Sequence, residues 1–68
     1  MSIEKRREEK KLTQQQLAEK CGVNQNSISR YEKGVREPSI KVMKALAKAL
    51  DCSIDELLRD PEEDAVQA

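Results

Sequence analysis

The stretch that decides the fold reads Thr13-Gln-Gln-Gln-Leu-Ala-Glu-Lys-Cys-Gly-Val-Asn-Gln-Asn-Ser-Ile-Ser-Arg-Tyr-Glu-Lys-Gly34. Its apolar residues recur at helical spacing on both sides of a glycine, at Leu17, Cys21, Val23, Ile28 and Tyr31. Gly22 is suited to end the first helix, because glycine adopts the left-handed conformation at little cost. Asn24 is suited to cap the second helix through its side-chain oxygen. The stretch therefore predicts two short helices joined by a tight turn.

The second of these helices would present a polar, hydrogen-bonding face to solvent. Two helices joined by a turn of roughly three or four residues form a helix-turn-helix. In DNA-binding proteins of this kind the second helix enters the major groove. The pattern therefore favours a helix-turn-helix that contacts DNA.

Length and composition restrict the remaining possibilities. The chain has 68 residues, 37% of them hydrophobic, 38% charged and 1% aromatic, which is typical of one small helical domain with an aliphatic core. We expect no room for a small-molecule substrate pocket. The sequence contains no apolar run near the roughly 20 residues of a membrane span, and its N-terminus lacks the apolar stretch of a signal peptide. We expect a cytoplasmic protein.

The two cysteines, Cys21 and Cys52, fall on apolar faces in a chain without histidine. They lack the Cys-x-x-Cys spacing of a zinc site, so we expect no metal and no cofactor. We interpret both as small core residues. A regulatory Cys21–Cys52 disulfide is an alternative, which a reducing cytosol disfavours.

The neutral total charge hides two halves of opposite sign. Residues 1–48 carry 12 Lys and Arg against 6 Asp and Glu, whereas residues 49–68 carry 1 against 7. One basic face for phosphates is compatible with this distribution. A solvated helical surface followed by an acidic tail fits the charges equally well.

The pattern along the whole chain predicts an all-α fold of five helices. Helix 1 is expected at about residues 2–10, helix 3 at about 25–33, and helices 2, 4 and 5 after the caps Thr13, Ser39 and Ser53. Helix 4 would bury the strongest apolar stripe, formed by Ile40, Met43, Leu46, Ala47 and Leu50. Pro61 is expected to end ordered structure, which gives a domain at residues 1–60 and a short, acidic, disordered tail at 61–68.

Motifs across four helices resemble the Cro and lambda-repressor-like helix-turn-helix family, also called the Xre family. They are Leu12-Thr-Gln-Gln-Gln-Leu-Ala18, Gly22-Val23, Ser27-Ile-Ser-Arg-Tyr-Glu32, Gly34, Pro38-Ser39 and Leu46-Ala-Lys-Ala-Leu50. The likeness covers roughly residues 3–59. It implies a compact five-helix domain with its helix-turn-helix at helices 2 and 3.

The resemblance also assigns expected DNA contacts. Base edges would be read by Gln25, Asn26, Ser27 and Arg30, with Ser29 a weaker candidate. Phosphates would be bound by Gln14, Lys33 and Arg36. The alternative for the first-turn residues is capping alone, and for the cations a solvated surface.

A second set of matching positions implies a structural role. Arg7 and Glu32 correspond to family positions that pair between helices 1 and 3, so we expect a partly buried, bidentate ion pair. Lys11 stands where the family usually has glycine, which implies a left-handed lysine or a different turn. Arg6 and Glu8 replace aliphatic residues, so helix 1 is expected to pack more loosely.

The resemblance finally implies a homodimer that binds an inverted repeat of double-stranded operator DNA. Its interface would come from Ile54 and Leu58, with Val66 as a further candidate and Leu57 assigned to the core. The predicted function is a transcriptional regulator, more often a repressor, that a protein partner could control. The alternative is an antitoxin-like or adaptor module that binds protein. An enzyme is disfavoured, because we find no nucleophile with a base and no glycine-rich phosphate loop.

Overall fold

A computed structural model describes residues 1–59 of the chain. This part contains five α-helices and no strand: α1 (Ile3–Glu9), α2 (Gln14–Cys21), α3 (Gln25–Lys33), α4 (Ile40–Ala49) and α5 (Ile54–Leu58). The all-α prediction is confirmed, and the helix bounds agree with the expected ones to within a residue or two. The predicted acidic tail, residues 61–68, lies outside the described residues.

Local signals in the sequence set the ends of the helices. Thr13 and Ser53 each form the predicted capping box with the Gln or Glu three residues later. Asn24 accepts a hydrogen bond from the Ser27 N–H at 2.8 Å, and Ser39 accepts one from Val42. Gly22 and Gly34 end α2 and α3 in the left-handed conformation, with φ of 71° and 76°. The turn between α2 and α3 is therefore fixed by residues on both sides of it.

Two other residues adopt the left-handed conformation. Lys11 has a φ of 57°, so the first of the two alternatives for this position is correct. Asp51, with a φ of 55°, directly follows α4 and was not predicted to be left-handed. Left-handed backbone is unfavourable for most residues with a Cβ, although Asp tolerates it better than Lys.

The core is aliphatic and lies where the helices meet. Its fully buried side chains are Ile3, Leu17, Ile28, Leu46 and Leu57. Helix α2 packs against both α3 and α4, which holds the helix-turn-helix on the core. Leu57 is in the core, as expected.

One predicted core residue is wrong. Ile40 is 70% exposed, whereas Val42 packs against the core. At about 100° per residue, Ile40 lies roughly 120° around α4 from the buried Leu46, while Val42 lies only about 40° away. The predicted stripe followed the spacing of Ile40, Met43 and Ala47. It was therefore displaced around α4 from the face that is buried.

Both cysteines contact the core without entering it fully. Cys21 and Cys52 are half-buried, and both thiols are free. Burial raises the pKa of each thiol, which lowers its thiolate fraction. This agrees with the interpretation of both as small packing residues.

The two ends of the described chain are joined by polar contacts that the sequence did not predict. The buried Ser2 hydroxyl lies 3.2 Å from the Leu57 carbonyl oxygen, to which it donates, and it accepts from Arg6 Nε at 2.8 Å. Arg6 Nη2 donates to the Glu56 carbonyl at 3.1 Å. Arg6 thus ties α1 to α5 through polar contacts, which the expectation of a loosely packed helix 1 did not include.

Candidate nucleic-acid interface

Helix α3 has one edge in the core and one edge in solvent. Ile28 and Tyr31 are buried, and the side chain of Glu32 is only 2% exposed. The opposite edge carries Asn26, Arg30 and Lys33, which are all exposed. Spacings of four and three residues place these three side chains above one another on the helix surface. The structure thus presents a polar strip along α3.

The other predicted base-contacting residues lie at the start of this strip or beside it. Gln25 is exposed at the first position of α3. Ser27 is half-buried and lines a shallow depression together with Tyr31 and Arg36. Ser29 is also half-buried. The structure therefore places Asn26 and Arg30 on the open side of α3. Gln25 is exposed beside Gln14 at the start of the helix, and Ser27 faces the loop that follows the helix.

Arg7 and Glu32 meet, but their geometry differs from the expected one. Arg7 Nε lies 2.6 Å from Glu32 Oε2, and Arg7 Nη1 donates to the Leu12 carbonyl at 2.7 Å. The guanidinium therefore divides its donors between a carboxylate and a backbone oxygen. The expected bidentate pair was wrong, because Arg7 Nη1 binds the Leu12 carbonyl and Gln14 donates to the other carboxylate oxygen of Glu32. The hydrogen bond to Glu32 is the main cause that raises the pKa of Arg7, and burial opposes it.

Gln14 provides that partner. Its Nε2 donates to Glu32 Oε1 at 2.8 Å, and its Oε1 accepts from Gln25 Nε2 at 3.4 Å. A chain of hydrogen bonds thus runs from α1 through Glu32 and Gln14 to the first residue of α3. An amide nitrogen carries two hydrogens, so Gln14 retains one that can donate to a phosphate. Its contact with Glu32 was not predicted, because their separation of 18 residues leaves no local signal.

Within the described part of the chain, no ion pair neutralises the cations near α3. Among residues 1–59, the salt bridges found are Arg7 with Glu32 and Lys10 with Asp51, neither of which involves Arg30, Lys33 or Arg36. All three are exposed. Positive charge therefore surrounds the end of α3 and the loop after it, where an anionic polymer can approach.

The predicted dimer residues lie on another surface, at the end of α5. Leu58 is 48% exposed, and Met1, beside it in one groove, is 46% exposed. Ile54 is half-buried. Val66, the further candidate, lies outside the described residues.

We also searched residues 1–59 for a metal site and for a membrane-spanning helix. No cluster of acidic or cysteine side chains in residues 1–59 could hold a metal ion. No helix in this part of the chain is long and apolar enough to cross a membrane.

These features define a five-helix domain with a helix-turn-helix at α2 and α3. The chain belongs to the helix-turn-helix family HTH_3, whose model matches residues 3–57. The predicted family and fold are therefore confirmed.

Individual relatives agree with this assignment. The chain is 41% identical over 58 residues to the uncharacterized HTH-type transcriptional regulator YqaE of Bacillus subtilis, a match that covers 85% of this chain and 50% of YqaE. It is 38% identical over 56 residues to the cryptic phage CTXphi transcriptional repressor RstR of Vibrio cholerae, covering 82% of this chain and 50% of RstR. The chain thus spans about half the length of these two curated relatives. They are named as a regulator and a repressor, which agrees with the expectation that the chain is not an enzyme.

A solved structure gives the same fold. The P22 c2 repressor protein of Salmonella phage P22, in complex with synthetic operator 9T, superposes with a TM-score of 0.81 at 40% identity. The match covers 84% of this chain and 86% of that chain.

Proposed function

We propose that this chain is a sequence-specific double-stranded DNA-binding transcriptional regulator, acting as a repressor, that reads the major groove with α3. The observation that carries the proposal is the polar strip of α3. Its residues are exposed, while the opposite edge of the helix is buried in the core. A helix that is anchored in this way can insert its exposed edge into a DNA groove while it stays packed in the domain. The P22 c2 repressor, which has the same fold, was solved with operator DNA.

The side chains on the strip suit a division of roles. Asn26 and Gln25 carry amides that can pair bidentately with adenine, and Arg30 can do so with guanine. Ser27 has a hydroxyl that can donate or accept, and its half-buried position gives it a smaller reach. Lys33, Arg36 and the free hydrogen of Gln14 would bind phosphates, which adds affinity without sequence information.

The hydrogen-bonded chain behind the strip supports this assignment. Gln14 connects buried Glu32 with exposed Gln25, so the amide of Gln25 has a preferred direction before DNA arrives. Fixing a side chain in advance lowers the entropy lost on binding. The buried pair would thus position the helix, and the exposed residues would read the sequence.

Homodimer formation belongs to the same proposal. A single helix in one groove contacts a short site, whereas two copies related by a two-fold axis bind half-sites about one helical turn apart. Leu58, exposed at the end of α5, and Ile54 are the proposed interface residues. The DNA would be an inverted repeat.

The cellular setting follows from the DNA partner. We place the protein in the cytoplasm, with residues 1–60 as the DNA-binding domain and residues 61–68 as an acidic tail. Control by a regulatory protein partner is compatible with this size, and occupation of a promoter is the proposed mechanism.

A fluorescence-anisotropy titration tests the proposal. The full chain should bind random duplex DNA with an affinity that falls steeply between about 50 and 200 mM salt, because phosphate contacts release counterions. Selection from a random pool should then yield an inverted repeat. An adaptor that binds only protein would show neither result.

Two substitutions separate base contacts from phosphate contacts. Asn26→Ala should weaken binding to the selected site by about 1–3 kcal/mol and leave binding to random DNA nearly unchanged. Lys33→Gln should weaken both equally and reduce the salt slope by about 1. Lys48→Gln, on the exposed side of α4, is the charge-matched control. If all three variants behaved alike, α3 would not be the reading helix.

A further inference from the structure

A groove runs between the first residue, the end of α3 and the end of α5. Its lining residues include Met1, Tyr31, Lys33, Arg36, Glu37 and Leu58. We name it the Met1–Leu58 groove. Met1 and Leu58 contribute exposed apolar surface to it, and Lys33 and Arg36 contribute two positive charges. Within residues 1–59, the Glu37 carboxylate, which also lines the groove, is in no ion pair. The remaining acid in the lining, Glu32, is engaged by Arg7 and Gln14.

The sequence directly after this groove is strongly acidic. The five residues Asp60-Pro-Glu-Glu-Asp64, which we name the acidic segment, contain four carboxylates and no cation. The segment lies outside the described residues. Since Leu58 lines the groove and two residues span at most about 7 Å, the chain connectivity requires Asp60 to begin close to the groove.

We propose that the acidic segment occupies the Met1–Leu58 groove of its own chain and must leave it when DNA binds. The inference rests on the proposed function, because Lys33 and Arg36 are the cations assigned there to phosphate contacts. Opposite charge favours this occupant over an uncharged peptide. Attachment two residues away favours it over a free acidic partner, because a short tether gives an effective concentration in the millimolar range.

The consequence is a built-in competition between carboxylates and phosphates. When part of the population has its groove occupied, the apparent affinity for DNA equals the affinity of the open form multiplied by the fraction of molecules that are open. Binding to operator and to random DNA would be weakened by the same factor, because the segment must leave the groove for either.

The test compares two full-length variants with the same change in net charge. The first neutralises the segment with Asp60→Asn, Glu62→Gln, Glu63→Gln and Asp64→Asn. The second neutralises four exposed acids elsewhere, with Glu4→Gln, Glu9→Gln, Glu19→Gln and Asp55→Asn. We expect the first variant to bind random duplex DNA about three- to tenfold more tightly than the second at low salt. The difference should shrink as salt is added.

An NMR measurement on the protein without DNA tests whether the acidic segment lies in the Met1–Leu58 groove. In proton–nitrogen NMR spectra of the free protein, neutralising the acidic segment should shift the amide signals of residues 33–37 and of Leu58, independently of protein concentration. The control variant should leave these signals in place.

Each other result overturns the inference. Shifts confined to the lysines of α4 would place the segment elsewhere, and shifts at residues 33–37 that depend on concentration would make a second copy the occupant. Equal affinities for the two variants at every salt concentration would exclude competition with DNA. Failure of the proposed function looks different, because then no variant, nor the natural chain, would bind DNA, whereas the NMR comparison would still report on the groove.

Discussion

Helix α1 is attached to the rest of the domain by two ion pairs that differ in exposure. Arg7 and Glu32 lie 2.6 Å apart with side chains 14% and 2% exposed, while Lys10 and Asp51 lie 3.5 Å apart with side chains 45% and 86% exposed. The side chains of the first pair make further hydrogen bonds with Leu12 and Gln14, whereas within residues 1–59 those of the second pair make none. Similar chemistry thus holds α3 in place at the buried pair and lies on the surface at the exposed pair.

The largest expected effect is that of Glu32→Ala. Removing this carboxylate leaves Arg7 partly buried without its charge partner and Gln14 without its acceptor, which should cost about 3–5 kcal/mol. For a domain of this size each kcal/mol corresponds to about 4–8 °C in Tm, so thermal unfolding followed by circular dichroism should show a fall of more than about 10 °C.

Lys10→Ala is the matched change at the exposed pair. It should lower stability by no more than about 1 kcal/mol, because exposed pairs gain little over solvated charges. Equal losses from Glu32→Ala and Lys10→Ala would show that burial does not separate the two pairs.

An effect smaller than that of Glu32→Ala and larger than that of Lys10→Ala is expected from Arg7→Lys, which keeps the charge and removes the planar guanidinium. One ammonium cannot reproduce the geometry in which Nε bonds to Glu32 and Nη1 bonds to Leu12. We expect a loss of about 1–3 kcal/mol in urea unfolding, since a buried acceptor loses its donor. Arg6→Lys, on the same helix, is the control for the substitution type. A loss below that of Lys10→Ala would mean that charge alone accounts for the buried pair.

The sequence could predict the short-range features of this fold and not the long-range polar ones. Caps at Thr13, Asn24 and Ser53 depend on residues three positions away, so they are visible in the sequence. The bonds from Ser2 to α5 join residues 54 and 55 positions apart, and nothing local announces them. Family resemblance brought Arg7 and Glu32 together, but it could not show how one guanidinium divides its donors.

The same difference between short-range and long-range features applies to the candidate site. The position of Asn26 and Arg30 on the open side of α3 follows from helical periodicity once the apolar edge is known. The bond from Gln14 to Glu32 depends on how α2 crosses α3, which is a property of the packed domain. The groove beside Lys33 and Leu58 likewise joins segments that are distant in sequence.

Lys11 follows Lys10 directly in the sequence and has a backbone conformation that a substitution can relieve. Its φ of 57° costs a residue with a Cβ about 1–2 kcal/mol, and glycine would avoid this while losing about 0.5–1 kcal/mol of chain entropy. Lys11→Gly should therefore raise the free energy of unfolding by up to about 1 kcal/mol in urea titrations. Lys11→Ala removes the same charge and keeps the Cβ, so it should give no such gain. A gain shared by both would be electrostatic and would have nothing to do with the turn.

The smallest expected effect is the pH dependence of stability that comes from Glu56, an exposed acid. The Ser53 backbone N–H, together with the Ser53 hydroxyl, holds the pKa of Glu56 below its ordinary value of 4.5. Because the folded state lowers this pKa, the contribution of Glu56 is present above about pH 4.5 and is lost as the pH falls through the lowered value. The Tm difference between the natural chain and Glu56→Gln should therefore narrow as the pH drops below 4.5.

Ser53→Ala distinguishes the two causes of that shift. It removes the hydroxyl that caps α5 and keeps the backbone N–H, which makes the larger contribution to the lowered pKa. The variant should be less stable at every pH, since a lost cap costs about 1 kcal/mol, yet most of its pH dependence should persist. If the pH dependence disappeared together with the hydroxyl, the side chain of Ser53 would be the group that holds the carboxylate. The cap and the titration would then be one interaction, formed at the surface without the burial that distinguishes Glu32.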